Sequence, residues 1–288
     1  MTGPVEVGAV VVEVGAVVAD QPGAGRRLGG ERLGPLAPQA LVALDGRPLL
    51  AHALACLEAS RSVTAIVVVA DPDAEEATAK VVADEGLAKV TAVVPCGPTR
   101  QASVALGLAA LPPGPAFVAV HDAARPLAGP DLVDELLELL RAAGPDGPAA
   151  VVPGVPVTDT VRRVGEGGRS LGVVDRGRLR VLQTPQLFVR AVLEEAHRLA
   201  SRDGVEATDE AALVERAGHP VRVVPGTAEN LKVTTALDLA VAEAIAGRRA
   251  AGPPGSPRAA DSPRAARDQP RPHGMRPGQH GISRGSTG

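Results

Sequence analysis

Five runs, Val63–Ala70 (VTAIVVVA), Val90–Pro95 (VTAVVP), Ala116–Val120 (AFVAV), Ala149–Pro153 (AAVVP) and Val221–Pro225 (VRVVP), are short, valine-rich and nearly free of polar alternation. Successive side chains of a strand point to opposite faces of its sheet, so a strand apolar at consecutive positions must be covered on both sides. Between and around these runs lie segments with helical apolar spacing: Leu49–Ser60, Asp73–Glu85, Arg100–Ala110, Pro130–Ala143, Val189–Ser201, Asp209–Ala217 and Ala236–Ala246. The stretch DPDAEEA puts acids in a first turn, and TDEAALVE offers Thr208 as an N-cap. Buried strands alternating with helices predict an α/β domain, doubly wound around a mostly parallel sheet. Ligands of such folds bind beyond the carboxyl ends of the strands.

The core must be built from Val, Leu, Ala and Ile, because the chain is 45% hydrophobic but only 1% aromatic. That argues against a stacking platform for single-stranded nucleic acid. Cys56 and Cys96 fit neither a zinc nor a thioredoxin spacing, which points to a reduced, cytoplasmic setting. Glu6 and Glu13 interrupt the N-terminal valines, so no apolar run reaches membrane-spanning length, and the start lacks the basic residues of a signal peptide. Neither nucleic acid nor membrane is expected as a partner. The net charge of −3 combines −7 over residues 1–250 with +4 from Ala251 onward, where six Arg face two Asp. That Pro-, Gly- and Arg-rich tail has no apolar periodicity and is read as a disordered extension without a function of its own, with contact to nucleic acid or membrane as the alternative.

The segment VEVGAVV occurs twice in tandem, at Val5–Val11 and Val12–Val18. A glycine-rich stretch follows the second copy, so the first strand is placed at Val14–Val18. Residues 1–13 then become an extension or edge segment, 14–246 the folded domain and 247–288 the tail. The stretch from Val157 to Val181 breaks the βα rhythm and reads as an extended hairpin arm around GEGG.

Polar and glycine-rich signals gather at the predicted strand ends. GAGRRLGG (Gly23–Gly30) lets backbone approach an anion and adds arginine charge, but it lacks the lysine of a Walker loop. Taken alone it is either a phosphate loop or an ordinary turn. In VAVHDAARP, Asp122 sits where a buried strand emerges and Arg125 follows a short turn later. Such an Asp can hold Mg²⁺ against phosphate oxygens, and the Arg can clamp a phosphate; a helix cap paired to Arg125 is the plainer alternative. The chain has three lysines, Lys80, Lys89 and Lys232. Lys80 falls on a surface helix and Lys89 beside a turn, whereas Lys232, in NLKVTT, is placed to aim a cation into the sheet crevice.

In order, VHDAARP, VPVTDTV, VDRGRLRVLQTPQLF, TDEAALVE and NLKVTTALDLAVAE closely resemble the 2-C-methyl-D-erythritol 4-phosphate cytidylyltransferase family, with similarity from about Val14 to Ala246. The resemblance implies a nucleotidyltransferase-type (Rossmann-like) fold whose arm embraces a second subunit in a homodimer. It implies transfer of a cytidylyl group from CTP to a polyol phosphate, with Mg²⁺ and release of pyrophosphate. Carried over residue by residue, Gly23, Gly25 and Gly29 wrap the triphosphate with Arg27. Gly97, Arg100 and Ser103 match the base-recognition segment, and Asp122 matches the metal ligand. Arg125, Thr184, Thr208 and Lys232 match contacts to the substrate phosphate and transition state. Thr160 and Arg176 match contacts to the neighbouring subunit's substrate.

The chain departs from the family pattern in the nucleotide loop. Asp20, Gln21 and Pro22 stand where Pro-Ala-Ala belong, Gln39 stands where a catalytic lysine belongs, and Pro98 replaces an acid. Two alternatives therefore accompany the main reading: a cytidylyltransferase for another polyol phosphate, and a degenerate paralogue that binds without catalysis.

Overall fold

The computed structural model describes residues 5–13, 39–144 and 146–251. The chain divides into two units, Met1–Ala250 and Ala251–Gly288, and the architecture below is that of the first. The disorder expected of the tail falls outside the described residues. The strands are β1 (Val7–Val12), the short pair β2 (Ala43–Leu44) and β3 (Arg47–Pro48), β4 (Val63–Ala70), β5 (Val90–Pro95), β6 (Phe117–Asp122), β7 (Ala150–Pro156), β8 (Val161–Val164), β9 (Ser170–Val174), β10 (Arg180–Leu182), β11 (Gln186–Val189) and β12 (Val221–Pro225). The helices are α1 (Leu49–Ala59), α2 (Glu75–Asp84), α3 (Arg100–Ala110), α4 (Leu132–Ala142), α5 (Arg190–Asp203), α6 (Glu210–Arg216) and α7 (Ala236–Ala251).

β6, β1, β4 and β5 lie side by side and parallel, with Val10 of β1 opposite Val67 on one side and Val120 on the other. β11 runs antiparallel between β6 and β7, β10 pairs antiparallel with the end of β7, and β12 runs parallel along β7. The mostly parallel sheet is as expected, and its two faces are covered as the strand composition requires. Val7, Ala9 and Val11 pack with Leu50, Leu54, Leu136 and Leu140 of α1 and α4. Val10 and Val12 pack with Val104, Leu108, Leu193 and Leu213 of α3, α5 and α6. At Gly107 a Cβ would come within 2.4 Å of a Val10 methyl, so only glycine lets α3 lie this close to the sheet.

The first strand differs from expectation. Val7–Val12, read from sequence as extension or edge, forms the middle of the sheet and is buried along its whole length. Val14–Val18 lies outside the described residues. Because both copies contain Val-Gly-Ala-Val-Val, local propensity does not separate them. β10 and β11 are also additions; a three- and a four-residue strand beside the arm and a helix carry no distinct period. α6 is capped by the Asp209 side chain, which accepts from Ala212 N–H, and Thr208 is not the cap. α7 continues past the expected end at Ala246 to Ala251.

The arm is a hairpin as expected. β8 and β9 pair antiparallel, Val161 opposite Val174, around a turn where Gly167 and Gly168 take φ of 64° and 79°. It presents Val164, Leu171 and Val173 to solvent.

Candidate active site

Asp122 ends β6 at the carboxyl edge of the sheet, and only 5% of the residue is exposed. Its backbone N–H donates to Thr184 Oγ1 at 2.9 Å, and that oxygen lies 3.1 Å from His121 Nδ1. With its oxygen accepting from Asp122, the Thr184 hydroxyl has its proton to give to His121. Burial lowers the His121 imidazole to about 4 despite the nearby Asp122 charge, so the ring is neutral and can accept.

Three cations converge on the Asp122 carboxylate. Arg100 donates to Oδ1 through Nη2 at 3.1 Å and Nε at 3.3 Å. Lys232 Nζ donates to Oδ2 at 2.9 Å, and Arg125 Nε lies 4.0 Å from the same oxygen. Burial alone would raise this carboxyl, but the charges of Arg100 and Lys232 outweigh it and hold the group well below the usual range.

Each cation is held by a different piece of the fold. Arg100 opens α3, whose N-cap Thr99 accepts from Ala102 N–H. Gly97 N–H donates to Ser103 Oγ at 3.1 Å, and a Cβ on Gly97 would meet Ala102 Cβ at 2.7 Å. Gly97, Arg100 and Ser103 thus form one compact loop-to-helix element. Lys232 rides on a tethered segment, where Val233 N–H donates to the Ala124 carbonyl and Asn230 Nδ2 to the Thr184 carbonyl. The Asn230 carbonyl accepts from Arg125 Nη1 at 2.7 Å and Gln183 Nε2 at 3.1 Å. The other lysines are engaged elsewhere, Lys80 with Asp84 and Lys89 with the Ser60 carbonyl.

The structure therefore gathers Gly97, Arg100, Ser103, Asp122, Arg125, Thr184 and Lys232. Arg125 also acts as a brace, since Nη1 and Nη2 are committed to the Asn230 and Leu182 carbonyls while Nε is buried without a hydrogen-bond partner. Thr208 is exposed just before α6, and Thr160 and Arg176 are exposed beside the arm, where Arg176 Nη1 donates to the Thr158 carbonyl. None of the three makes a hydrogen bond to the Asp122 cluster. Gly23, Gly25, Arg27 and Gly29 lie outside the described residues.

Two acids escaped the sequence reading. Glu210, the first residue of α6, is 1% exposed and accepts from Arg100 Nη1 at 2.5 Å. An acid in a first helical turn reads as a dipole partner, so nothing in the string marks this one as a site group. Glu13, directly after β1, is 4% exposed and accepts from the Thr78 hydroxyl at 2.6 Å. Its misassignment followed from that of the strand.

Among the described residues no group of three or more His, Cys, Asp or Glu assembles as a ligand set. A single carboxylate suits Mg²⁺, which takes one or two carboxylates and completes its shell with water and substrate phosphates. Asp122, ionised at the strand end among groups able to turn toward phosphate, fits that pattern.

An α/β sheet that focuses three cations on one carboxylate at its carboxyl edge presents a charged site suited to a polyanion. The family profile described as IspD, 2-C-methyl-D-erythritol 4-phosphate cytidylyltransferase, matches residues 16–248, beginning inside the second valine copy. The enzyme of that name from Streptomyces avermitilis is 48% identical over 236 residues, spanning 79% of this chain and 90% of its own. That from Pelotomaculum thermopropionicum is 41% identical over 81% of this chain and 94% of its own. The crystal structure of the Thermus thermophilus enzyme superposes with a TM-score of 0.62 at 39% identity, covering 73% of this chain and 95% of that one. The Anaerococcus prevotii synthase structure, at 22% identity and a TM-score of 0.69, supports the fold alone. The chain belongs to the 2-C-methyl-D-erythritol 4-phosphate cytidylyltransferase family.

Proposed function

We propose that the chain transfers a cytidylyl group from CTP to 2-C-methyl-D-erythritol 4-phosphate, as its family does, releasing pyrophosphate in non-mevalonate isoprenoid biosynthesis. The observation that carries this reading is the convergence of Arg100, Lys232 and Arg125 on Asp122 at the carboxyl edge of the sheet. A phosphate oxygen of the acceptor attacks the α-phosphorus of CTP in line. A new P–O bond forms, the bond between the α-phosphorus and the bridging oxygen breaks, and pyrophosphate leaves with the electron pair. Two polyanions must meet, so positioning and charge neutralisation supply nearly all of the catalysis.

Lys232 is assigned to the charge that builds at the α-phosphorus, and Arg100, with Gly97 and Ser103, to the nucleotide. Arg125 and Thr184 are assigned to the acceptor phosphate and Thr208 to the substrate side, with Gly23, Gly25, Arg27 and Gly29 on the triphosphate. Asp122 would hold Mg²⁺, whose charge neutralises phosphate oxygens when bound. With substrates present, Lys232 and Arg100 exchange their bonds to Asp122 for bonds to phosphate, so the cluster is a set of cations stored on a carboxylate.

The arm is assigned to a homodimer in which Thr160 and Arg176 serve the partner's site. The solvent-facing Val164, Leu171 and Val173 support this, because an isolated hairpin gains by burying such a face. Removing residues 157–181 should give a monomer that no longer binds the acceptor; a fully active monomer overturns the assignment. A cytoplasmic location is supported by Cys56 and Cys96 both being free. Among the described residues no helix is long and apolar enough to cross a membrane.

The test is pyrophosphate release by purified protein with CTP, Mg²⁺ and 2-C-methyl-D-erythritol 4-phosphate, with the nucleotide product identified by mass spectrometry. A non-catalytic paralogue is the second reading, favoured by the neutral Gln39 where the family carries lysine. Binding of both substrates without any turnover would establish it.

A further inference from the structure

We propose that Glu210 is a positioning residue that holds Arg100 off one oxygen of Asp122, keeping that oxygen open to Lys232 and to a metal–phosphate complex. The inference rests on the cytidylyltransferase reading of the site. Arg100 bridges two buried acids: Nη1 is 2.5 Å from Glu210 Oε2, while Nε and Nη2 both meet Asp122 Oδ1. A guanidinium facing a lone carboxylate prefers a two-pronged fork that occupies both oxygens. Here the pull from Glu210 turns the fork so that only Oδ1 is engaged, and Oδ2 is left to Lys232 at 2.9 Å.

The placement of Glu210 supports a role beyond capping. The α6 cap is already supplied by Asp209, and Glu210 is 1% exposed with Arg100 as its sole salt-bridge partner among the described residues. Burial raises its carboxyl against the pull of Arg100, the cost of keeping an acid in this place. The connection that carries it is pinned to the same turn of α3. Gln101 Nε2 donates to the Val205 carbonyl at 3.1 Å, and Ala207 N–H donates to Gln101 Oε1 at 2.9 Å. Adjacent residues of α3 thus fix the backbone before Glu210 and receive its side chain. Glu210 also sets the charge count, since three cations and two acids leave the cluster with one net positive charge.

The test is Glu210→Gln, which keeps the shape and an acceptor oxygen but removes the charge. Affinity for Mn²⁺·CTP, measured by electron paramagnetic resonance, is expected to fall at least fivefold, with circular dichroism unchanged from the parent. The same substitution in an Arg100→Gln background is expected to change Mn²⁺·CTP affinity less than twofold, because the effect runs through Arg100. Undiminished affinity in Glu210→Gln, or an equal loss in both backgrounds, overturns the proposal. A parent that binds Mn²⁺·CTP, loses it in Glu210→Gln, yet turns over no substrate supports the positioning role and rejects the transferase reading instead. A parent that binds no Mn²⁺·CTP rejects both.

Discussion

Gln39 donates its carboxamide to the backbone carbonyl of Val233, the residue that follows Lys232. The side chain that stands where the family resemblance places a lysine therefore clamps the segment carrying Lys232. Gln39 braces Lys232 but adds no charge, and Gln39→Lys keeps a donor for Val233 while adding the charge. Turnover with CTP should rise, approaching the ~10²-fold that one transition-state cation supplies. The gain should fall on kcat more than on KM, because the charge is felt most as the phosphorus becomes pentacoordinate. Steady-state kinetics of parent and variant decide it, and equal kcat values would show that Gln39 does not limit the enzyme.

Asp122 and Lys232 make different structural demands. The Lys232 side chain is 30% exposed and that of Asp122 only 7%. Lys232→Ala should cut kcat by about 10² or more while leaving the melting temperature within a few degrees of the parent. Asp122→Asn leaves buried cations without their counter-charge, at roughly 3–5 kcal/mol. It should therefore lose activity and also melt roughly ten degrees lower. Calorimetry beside the pyrophosphate assay checks this, and similar melting temperatures for the two variants would contradict the burial argument.

Glu13 should make stability depend on pH. Burial, opposed by the hydrogen bond from Thr78, raises its carboxyl from 4.5 to about 7. The folded state keeps this proton where the unfolded chain has lost it, so the contribution is complete below pH 4.5 and is lost as pH rises through about 7. The loss amounts to about 3 kcal/mol. Glu13→Gln keeps an acceptor for Thr78 and removes the titration. The variant should match the parent at about pH 4.5 and be more stable at about pH 8; parallel melting curves across that range would reject the idea.

Removing one copy of VEVGAVV yields the same shortened chain whichever copy is deleted. The remaining sequence still reads Val-Gly-Ala-Val-Val, followed by Ala and Asp in place of Val12 and Glu13. It should fold cooperatively with unchanged circular dichroism, losing about 1–3 kcal/mol from the missing methyl groups at the Val12 position. Loss of cooperative unfolding would show that both copies are needed.

The sequence by itself determined the class of fold and the hairpin of the arm. Runs such as Val63–Ala70 and Val221–Pro225 are apolar enough to require cover on both faces, and β4, β5 and β12 match the expected bounds. The structure brings together Asp122, marked by its place where a buried strand emerges, Lys232, one of three lysines, and Arg100, which entered only through the family resemblance. Tertiary structure alone decided which of two near-identical copies fills the central strand. That choice is made by neighbours distant in sequence: β4 and β6 on either side, and Thr78 beyond the end, where Glu13 reaches it. It also decided that Arg125 braces two carbonyls, and that Glu210 faces Arg100, 110 positions away in the chain, rather than water. A local pattern records propensity and period. Which buried charge meets which partner depends on where two helices, two loop segments and a strand end converge, and no window of sequence contains that.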